Sequence, residues 1–180
     1  MKKLQRFHTG DLGKMGSDGY IHVTGRLKEQ YKLENGKYVC PTPIEEAIGM
    51  SRFIMQVVLC GANRPYNVAL LVLDWAAIRM ELKISDDIFE EELANDKRVK
   101  RLIDSEIQAS CKGKLKKFEI PQEWAMVAPF TAANNMLTPK MSIRRHIVMS
   151  TYEDVIASLY DDDIVAAAAD GIHVDEEKVA

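Results

Sequence analysis

Two runs in the middle of the chain, Phe53 to Cys60 and Val68 to Leu73, are apolar at nearly every position and rich in β-branched residues. Separated by the turn-prone Gly61-Ala62-Asn63-Arg64-Pro65, they predict two adjacent, mostly buried strands at the centre of a sheet. Upstream the pattern changes. Tyr20-Ile21-His22-Val23-Thr24 follows the turn signal Asp18-Gly19 and alternates as a half-buried strand would. Gln30 to Leu33 and Lys37 to Val39 flank Asn35-Gly36, a preferred two-residue hairpin turn, and predict a second hairpin.

Helical patterns fill most of the rest. Thr42-Pro43-Ile44-Glu45-Glu46 reads as a helix entry, with proline near the first turn and carboxylates beside the positive end of the dipole, and the helix should run to about Met50. Asp74 can cap a helix from Trp75 to about Lys83, and Val99, Leu102, Ile103 and Ile107 place an apolar face on a longer one that Gly113 should stop. Trp124 to Ala128 predicts a last strand, Asn134 to Pro139 a loop, and about Ile143 to Leu159 a final helix. The tail from Asp161 holds an acidic triplet, four alanines and Asp170-Gly171, and reads as a mobile extension or a frayed helix. The fold expected is α+β, a β-hairpin followed by a small mixed sheet flanked by helices.

Composition narrows the function classes. A chain of 180 residues that is 47% hydrophobic and 28% charged can bury one ordinary core. Its formal charge of -3 supplies no global basic field for nucleic acid, which is not an expected partner. Met1-Lys2-Lys3 starts like a signal peptide, but Gln5, Arg6 and His8 interrupt it, and no run approaches the roughly 20 apolar residues of a membrane span. Cys40, Cys60 and Cys111 are odd in number with no CxxC pair, so reduced thiols are expected, and His8, His22, His146 and His173 have no metal-ligand spacing. A cytoplasmic setting without a metal site follows, with peripheral membrane contact left open.

Phe7 to Ile48, FHTGDLGKMGSDGYIHVTGRLKEQYKLENGKYVCPTPIEEAI, joins a Thr-Gly-Asp turn, a hairpin and a Gly-Arg-x-Lys element in one order. This stretch resembles the junction between the two domains of adenylate-forming, AMP-forming acyl-CoA synthetases. The long-chain fatty acid branch is the nearest fit, because GRLKEQYKLENGKYVCPTPIEE runs through without a gap. The resemblance implies that residues 1–27 end a large N-terminal AMP-binding domain, that residues 28–160 form the small mobile domain, and that residues 161–180 are a polar tail.

The resemblance also assigns roles. Asp11, in Thr9-Gly10-Asp11, would hold the ATP ribose, since an ionised carboxylate can accept hydrogen bonds from two neighbouring hydroxyls. Arg26 would lie beside that ribose, although the sequence alone favours a surface ion pair with Glu29 or Asp11. Lys28 takes the hinge position, where element-terminal backbone absorbs a domain rotation. Gly36 supplies the positive φ of a hairpin loop that would shape the channel for the pantetheine arm of CoA.

Asn134 to Arg145 resembles the loop whose lysine bridges carboxylate and α-phosphate during adenylation, where a cation meets growing negative charge. Aligning Ile143-Arg144-Arg145 with the family's apolar-x-Arg ending puts Ser142 at the lysine position and Lys140 two residues earlier. Lys140, reaching in through a shifted loop, is the expected catalytic cation. Lys112, Lys114, Lys116 and Lys117 form a basic patch that suits either a helix terminus or the phosphates of CoA or a membrane.

The implied reaction joins a fatty acid, ATP and CoA through an acyl-adenylate, with Mg²⁺ bound mainly by the large domain and no activity expected from this segment alone. Two other readings remain: a stand-alone, non-catalytic interaction module, and the same domain of an enzyme that adenylates an aryl or amino acid.

Overall fold

The computed structural model describes residues 8–85 and 87–161. The expectations for Met1 to Phe7 and for the tail beyond Asp161 lie outside the described residues.

Strands β1 (Asp11–Met15) and β2 (Ile21–Arg26) form an antiparallel ladder with a bulge between Leu12 and Gly13. Asp18 Oδ1 accepts from the Tyr20 amide across the turn, and Gly19 takes φ +82. The expected strand is present, but its burial is not. Tyr20, Ile21 and Val23 are about seven-tenths exposed, although the helix Pro41–Ile48 approaches β2. Its inner end is anchored at Gly25, whose φ is +146 and where a Cβ would collide with Cys40 Sγ; that thiol donates to Thr24 O at 3.2 Å.

A single 3-10 turn, Leu27–Glu29, leads to β3 (Tyr31–Lys32) and β4 (Tyr38–Val39), an antiparallel pair. The hairpin exists, but its turn is wider than two residues. Gly36 N donates to Leu33 O at 2.9 Å, Leu33 N to Lys37 O at 2.9 Å, and Gly36 takes φ +84 while Asn35 stays in the ordinary negative-φ range. The Asn35 side chain accepts from the Lys37 amide at 3.1 Å, which favours this form over a turn needing positive φ at both central residues.

Helix α1 (Pro41–Ile48) begins with proline where an amide would lack a partner anyway, and buries Pro41, Ile44 and Ile48. The main sheet has the order β5-β6-β7, with β5 (Ile54–Cys60) antiparallel to β6 (Val68–Leu73) and β7 (Glu123–Met126) parallel to it. All six residues of β6 are buried because it is covered on both faces. Ala69, Leu71 and Leu73 pack in a cluster with Ile44, Ile48 and Ile103, whereas Val68, Leu70 and Val72 pack with Phe130, Leu137 and Val148. Three layers result.

Between β6 and β7 run α2 (Trp75–Leu82), α3 (Glu90–Ala94) and α4 (Lys97–Cys111). Asp74 caps α2 by accepting from Ala77 N at 3.0 Å, and Val99, Ile103, Ile107 and Cys111 form the buried stripe of α4. Past β7, the Gln56 side chain clamps Phe130, donating to its carbonyl at 3.1 Å and accepting from its amide at 2.8 Å.

The expected final helix is two: α5 (Arg145–Thr151) and α6 (Glu153–Ser158), broken at Tyr152 with φ -108 and ψ 28. Tyr152 turns its ring toward Phe130, 6.5 Å between centroids, and Glu153 and Asp154 favour a fresh helix start.

Candidate functional site

The β1–β2 register sets Asp11 opposite Arg26, and their side chains meet as an ion pair at 2.8 Å. Gly10, at φ +79, lets the chain turn sharply enough for Leu27 N to donate to Gly10 O at 2.8 Å, which ties the 3-10 turn back onto the ladder. Thr9, Gly10, Arg26, Lys28 and Glu29 line a cleft of about 260 Å³ beside this pair. The Arg26 side chain is 62% exposed, so the pair adds at most about 1 kcal/mol. Its consequence is orientation: a carboxylate and a guanidinium held side by side, open to solvent.

Lys28, exposed on the turn, also reaches a second cleft of about 540 Å³ on the other side. Tyr31, Ala62, Arg144, His146 and Met149 complete much of its wall. Thus the turn bearing the expected hinge residue and the start of α5 share one cavity. Gly36 and Lys140 line neither cleft. Gly36 sits at the tip of the β3–β4 hairpin, with open space around it except for Lys32 Cε at 3.6 Å from where a Cβ would lie.

Lys140 is exposed at the tip of a small hairpin closed by the Leu137–Ile143 bridge. Thr138 N donates to Ser142 O and Met141 N to Thr138 O, each at 2.8 Å, and Ser142 N donates to Thr138 Oγ1 at 3.1 Å. Met141 occupies the left-handed region at φ +61. Ser142 is exposed beside it. The base of this loop is tightly bonded: the Asn134 side chain accepts from Thr131 N at 2.9 Å and Met136 N at 3.2 Å, and donates to Pro129 O at 3.0 Å.

Sequence reasoning missed the pair that fixes the loop's exit. Arg145 Nη2 donates to Glu45 Oε2 at 2.7 Å and its Nη1 to Leu59 O at 3.0 Å, while Glu45 Oε1 accepts from Leu59 N at 2.7 Å. Leu59 lies on the edge strand β5, whose outward amide and carbonyl would otherwise lack partners. Burial alone would pull the Arg145 pKa down, but the hydrogen bond and charge of Glu45 leave it above its ordinary value. The available signal was an acidic residue in α1 and an arginine after the loop, a hundred positions apart, with nothing local to join them.

The cysteines are not poised as nucleophiles. Burial pushes the Cys60 thiol up to about 12, with Arg145 opposing the rise and Glu45 adding to it, and burial also raises Cys40 and Cys111. Among the described residues no group of three or more His, Cys, Asp or Glu could hold a metal ion, and no helix is long and apolar enough to cross a membrane. The basic patch around Gly113 is partly used within the fold, since Lys116 lies 5.6 Å from the Phe118 ring centroid.

This architecture is that of the small C-terminal domain of adenylate-forming enzymes. The adenylation domain of a carboxylate reductase from Mycobacterium chelonae shares the fold with a TM-score of 0.71 at 24% identity, over 87% of this chain and 23% of that one. A Mycobacterium tuberculosis fatty acyl CoA synthetase gives 0.51 at 18% identity, over 83% of this chain and 24% of that one. The chain belongs to the family described as AMP-binding enzyme C-terminal domain, whose model matches residues 28–164.

Among curated proteins it is similar to fatty acyl-CoA synthetase B of Dictyostelium discoideum, 31% identical over 86% of this chain and 24% of that protein. Long chain acyl-CoA synthetase 8 of Arabidopsis thaliana is 30% identical over 88% and 23%, and long-chain-fatty-acid–CoA ligase 5 of mouse is 32% identical over 86% and 23%. The chain therefore spans about a quarter of the length of the curated relatives it matches.

Proposed function

We propose that this chain is the mobile C-terminal domain of an AMP-forming long-chain fatty acid–CoA ligase, working against a large N-terminal AMP-binding domain. The observation that carries this reading is the similarity, at 30–32% identity along most of the chain, to proteins named as long-chain acyl-CoA synthetases and ligases. The enzyme would join a fatty acid to AMP with release of pyrophosphate, then pass the acyl group to the thiol of CoA with release of AMP.

In this reading residues 1–27 complete the large domain and residues 28–160 move relative to it. The exposed apolar face of β1–β2, with Met15, Tyr20, Ile21 and Val23, supports a covering partner there. Asp11 accepts from the ribose hydroxyls, and Arg26, already held against it at 2.8 Å, orients that carboxylate. Lys28 lies on the single turn between two ladders, where a change of a few backbone torsions would redirect everything downstream. Gly36 lets the β3–β4 tip approach the CoA arm closely, and Lys140 brings the cation for adenylation. Mg²⁺ is assigned to the large domain. The setting is cytoplasmic, with peripheral contact at a membrane surface where the acyl substrate resides.

The test is AMP release by the complete gene product with fatty acids of several lengths, and with aryl and amino acids as competitors. Fatty acid- and CoA-dependent AMP is expected from the complete enzyme and none from the 180-residue chain alone. Release with aryl or amino acids only, or none from a folded complete protein, would refute the reading.

A further inference from the structure

Asn67, immediately before β6, is a fully buried polar side chain, and both ends of its amide are in use. Its Oδ1 accepts from the Tyr31 hydroxyl at 2.6 Å, and its Nδ2 donates to Phe118 O at 2.9 Å and to Glu119 O at 3.1 Å. Burial pushes the Tyr31 hydroxyl well above its ordinary pKa, so it stays a donor. Gly61 makes room for this arrangement: a Cβ there would fall 2.5 Å from Asn67 Oδ1.

An apolar pair in place of Asn67 and Tyr31 would fill the same space without the cost of burying polar atoms. What the bonds add is direction, and they reach both arms of the β3–β4 hairpin. Tyr31 belongs to β3. On the other side Phe118, whose carbonyl Asn67 holds, has the Lys37 ammonium 4.9 Å from its ring centroid, and Lys37 leads into β4. Two backbone bonds complete the seam, Asn63 N to Lys32 O at 2.9 Å and Glu34 N to Arg64 O at 3.0 Å. From Tyr31 onward, three residues past Lys28, the hairpin is therefore tied to the turn between β5 and β6. A rotation about Lys28 carries hairpin and main sheet as one body.

We infer that Asn67 is a positioning residue: through Tyr31 it fixes where the Gly36 tip of the hairpin stands, and so governs thioester formation rather than adenylation. This rests on the functional reading above, in which that tip shapes the passage for the CoA arm. Asn67 itself touches no reacting atom. A misplacement of about 1 Å in a positioned group can cost about 10²-fold in rate, so a loosened tie is enough to be felt at a distance.

Two substitutions reach the tie from opposite sides. Tyr31→Phe removes the hydroxyl and keeps the ring, and Gly61→Ala displaces the Asn67 amide. In the 180-residue chain each should speed exchange of the Leu33, Glu34 and Gly36 amides about tenfold, the scale of one buried hydrogen bond, and leave Val57 to Cys60 within about twofold. In the complete enzyme each should slow single-turnover thioester formation from supplied adenylate about tenfold and leave pyrophosphate exchange within about twofold. Tyr38→Phe, at an exposed tyrosine of the same hairpin, is the control and should change neither step.

Unchanged exchange in the hairpin, equal loss in the two half-reactions, or thioester formation like the parent's in both variants would overturn the inference. If the parent enzyme releases AMP with fatty acids and CoA while the variants behave as it does, only this inference is lost. If the folded parent releases none, the functional reading and the thioester role fall together, and faster hairpin exchange in the isolated variants then shows the tie alone.

Discussion

Arg145→Met is the substitution from which the most can be calculated. The Arg145 and Glu45 side chains are 22% and 15% exposed, and they close a ring through both backbone groups of Leu59. Methionine removes the charge while keeping an apolar stem of similar reach. It leaves Glu45 largely buried with only the Leu59 amide as partner, and it leaves the Leu59 carbonyl on an edge strand without its donor. Breaking one side of a buried pair costs about 3–5 kcal/mol. Against a total stability of about 5–15 kcal/mol, the variant should be marginal.

Urea unfolding followed by circular dichroism reads this as a fall in midpoint at nearly constant slope. The double variant Glu45→Met, Arg145→Met should be more stable than Arg145→Met alone, because no orphaned charge remains. Arg26→Met supplies the contrast: the partner of Asp11 is 62% exposed, so its loss should cost under about 1 kcal/mol. A loss below about 1 kcal/mol for Arg145→Met, or a double variant weaker than the single one by the full effect of Glu45→Met, would refute the claim that this ring braces α1, β5 and α5.

Four further outcomes are expected. Cys60, held at about 12 in the fold, ionises first in the unfolded chain, whose thiol titrates near the usual value of about 8.5; stability should be level below that pH and fall toward pH 12 by up to about 1.4 kcal/mol per unit, with a shallower slope in Cys60→Ala, and equal slopes would reject this. Amides of Asp11–Met15 and Ile21–Arg26 should exchange faster than those of Val57 to Cys60, since the first ladder is exposed and the second buried; equal protection would contradict it. In the complete enzyme, Lys28→Pro should slow thioester formation more than adenylation by restricting the turn, whereas equal loss in single-turnover assays of the two steps would remove the hinge role. Lys140→Ala should slow pyrophosphate exchange about 10²-fold and spare thioester formation from supplied adenylate; unchanged exchange, with a gain in Ser142→Lys, would move the cation position to Ser142.

Local rules made the elements readable because each has a local cause. The unbroken apolar run of β6 signals burial on two faces, and Asp74 caps α2 through an amide only three residues away. The parallel pairing of β7 was anticipated only as a mixed sheet, since register depends on the packing of both clusters. The break at Tyr152 was invisible because it answers to Phe130, a tertiary neighbour. Alternation in Tyr20 to Thr24 promised half-burial, yet the apolar residues stand in solvent: periodicity reports that a face wants cover and cannot say which surface provides it. The Asp11–Arg26 pair was within reach as one of two bland alternatives; the Glu45–Arg145–Leu59 ring was not, because it joins three elements far apart in sequence.

The loop around Lys140 shows how far such a reading can be pressed. Its Asn-rich entry suggested freedom for a shift that would carry Lys140 into the position of Ser142. In the fold Asn134 binds three backbone groups and Arg145 pins the exit, so both ends are fixed and a shift of register would break the Thr138–Ser142 bonds as well. What stays adjustable is the tip. Met141 holds a left-handed torsion that disfavours a side-chain-bearing residue by roughly 1–2 kcal/mol, whereas the comparable position in the β3–β4 hairpin is Gly36, which takes it without penalty. Relaxing Met141 would release that strain and swing Lys140 while leaving the bonded base in place. Any approach of Lys140 to a reacting carboxylate is therefore a rearrangement of the turn between Thr138 and Ser142, and Arg144, outside that turn and already facing a cleft, needs none.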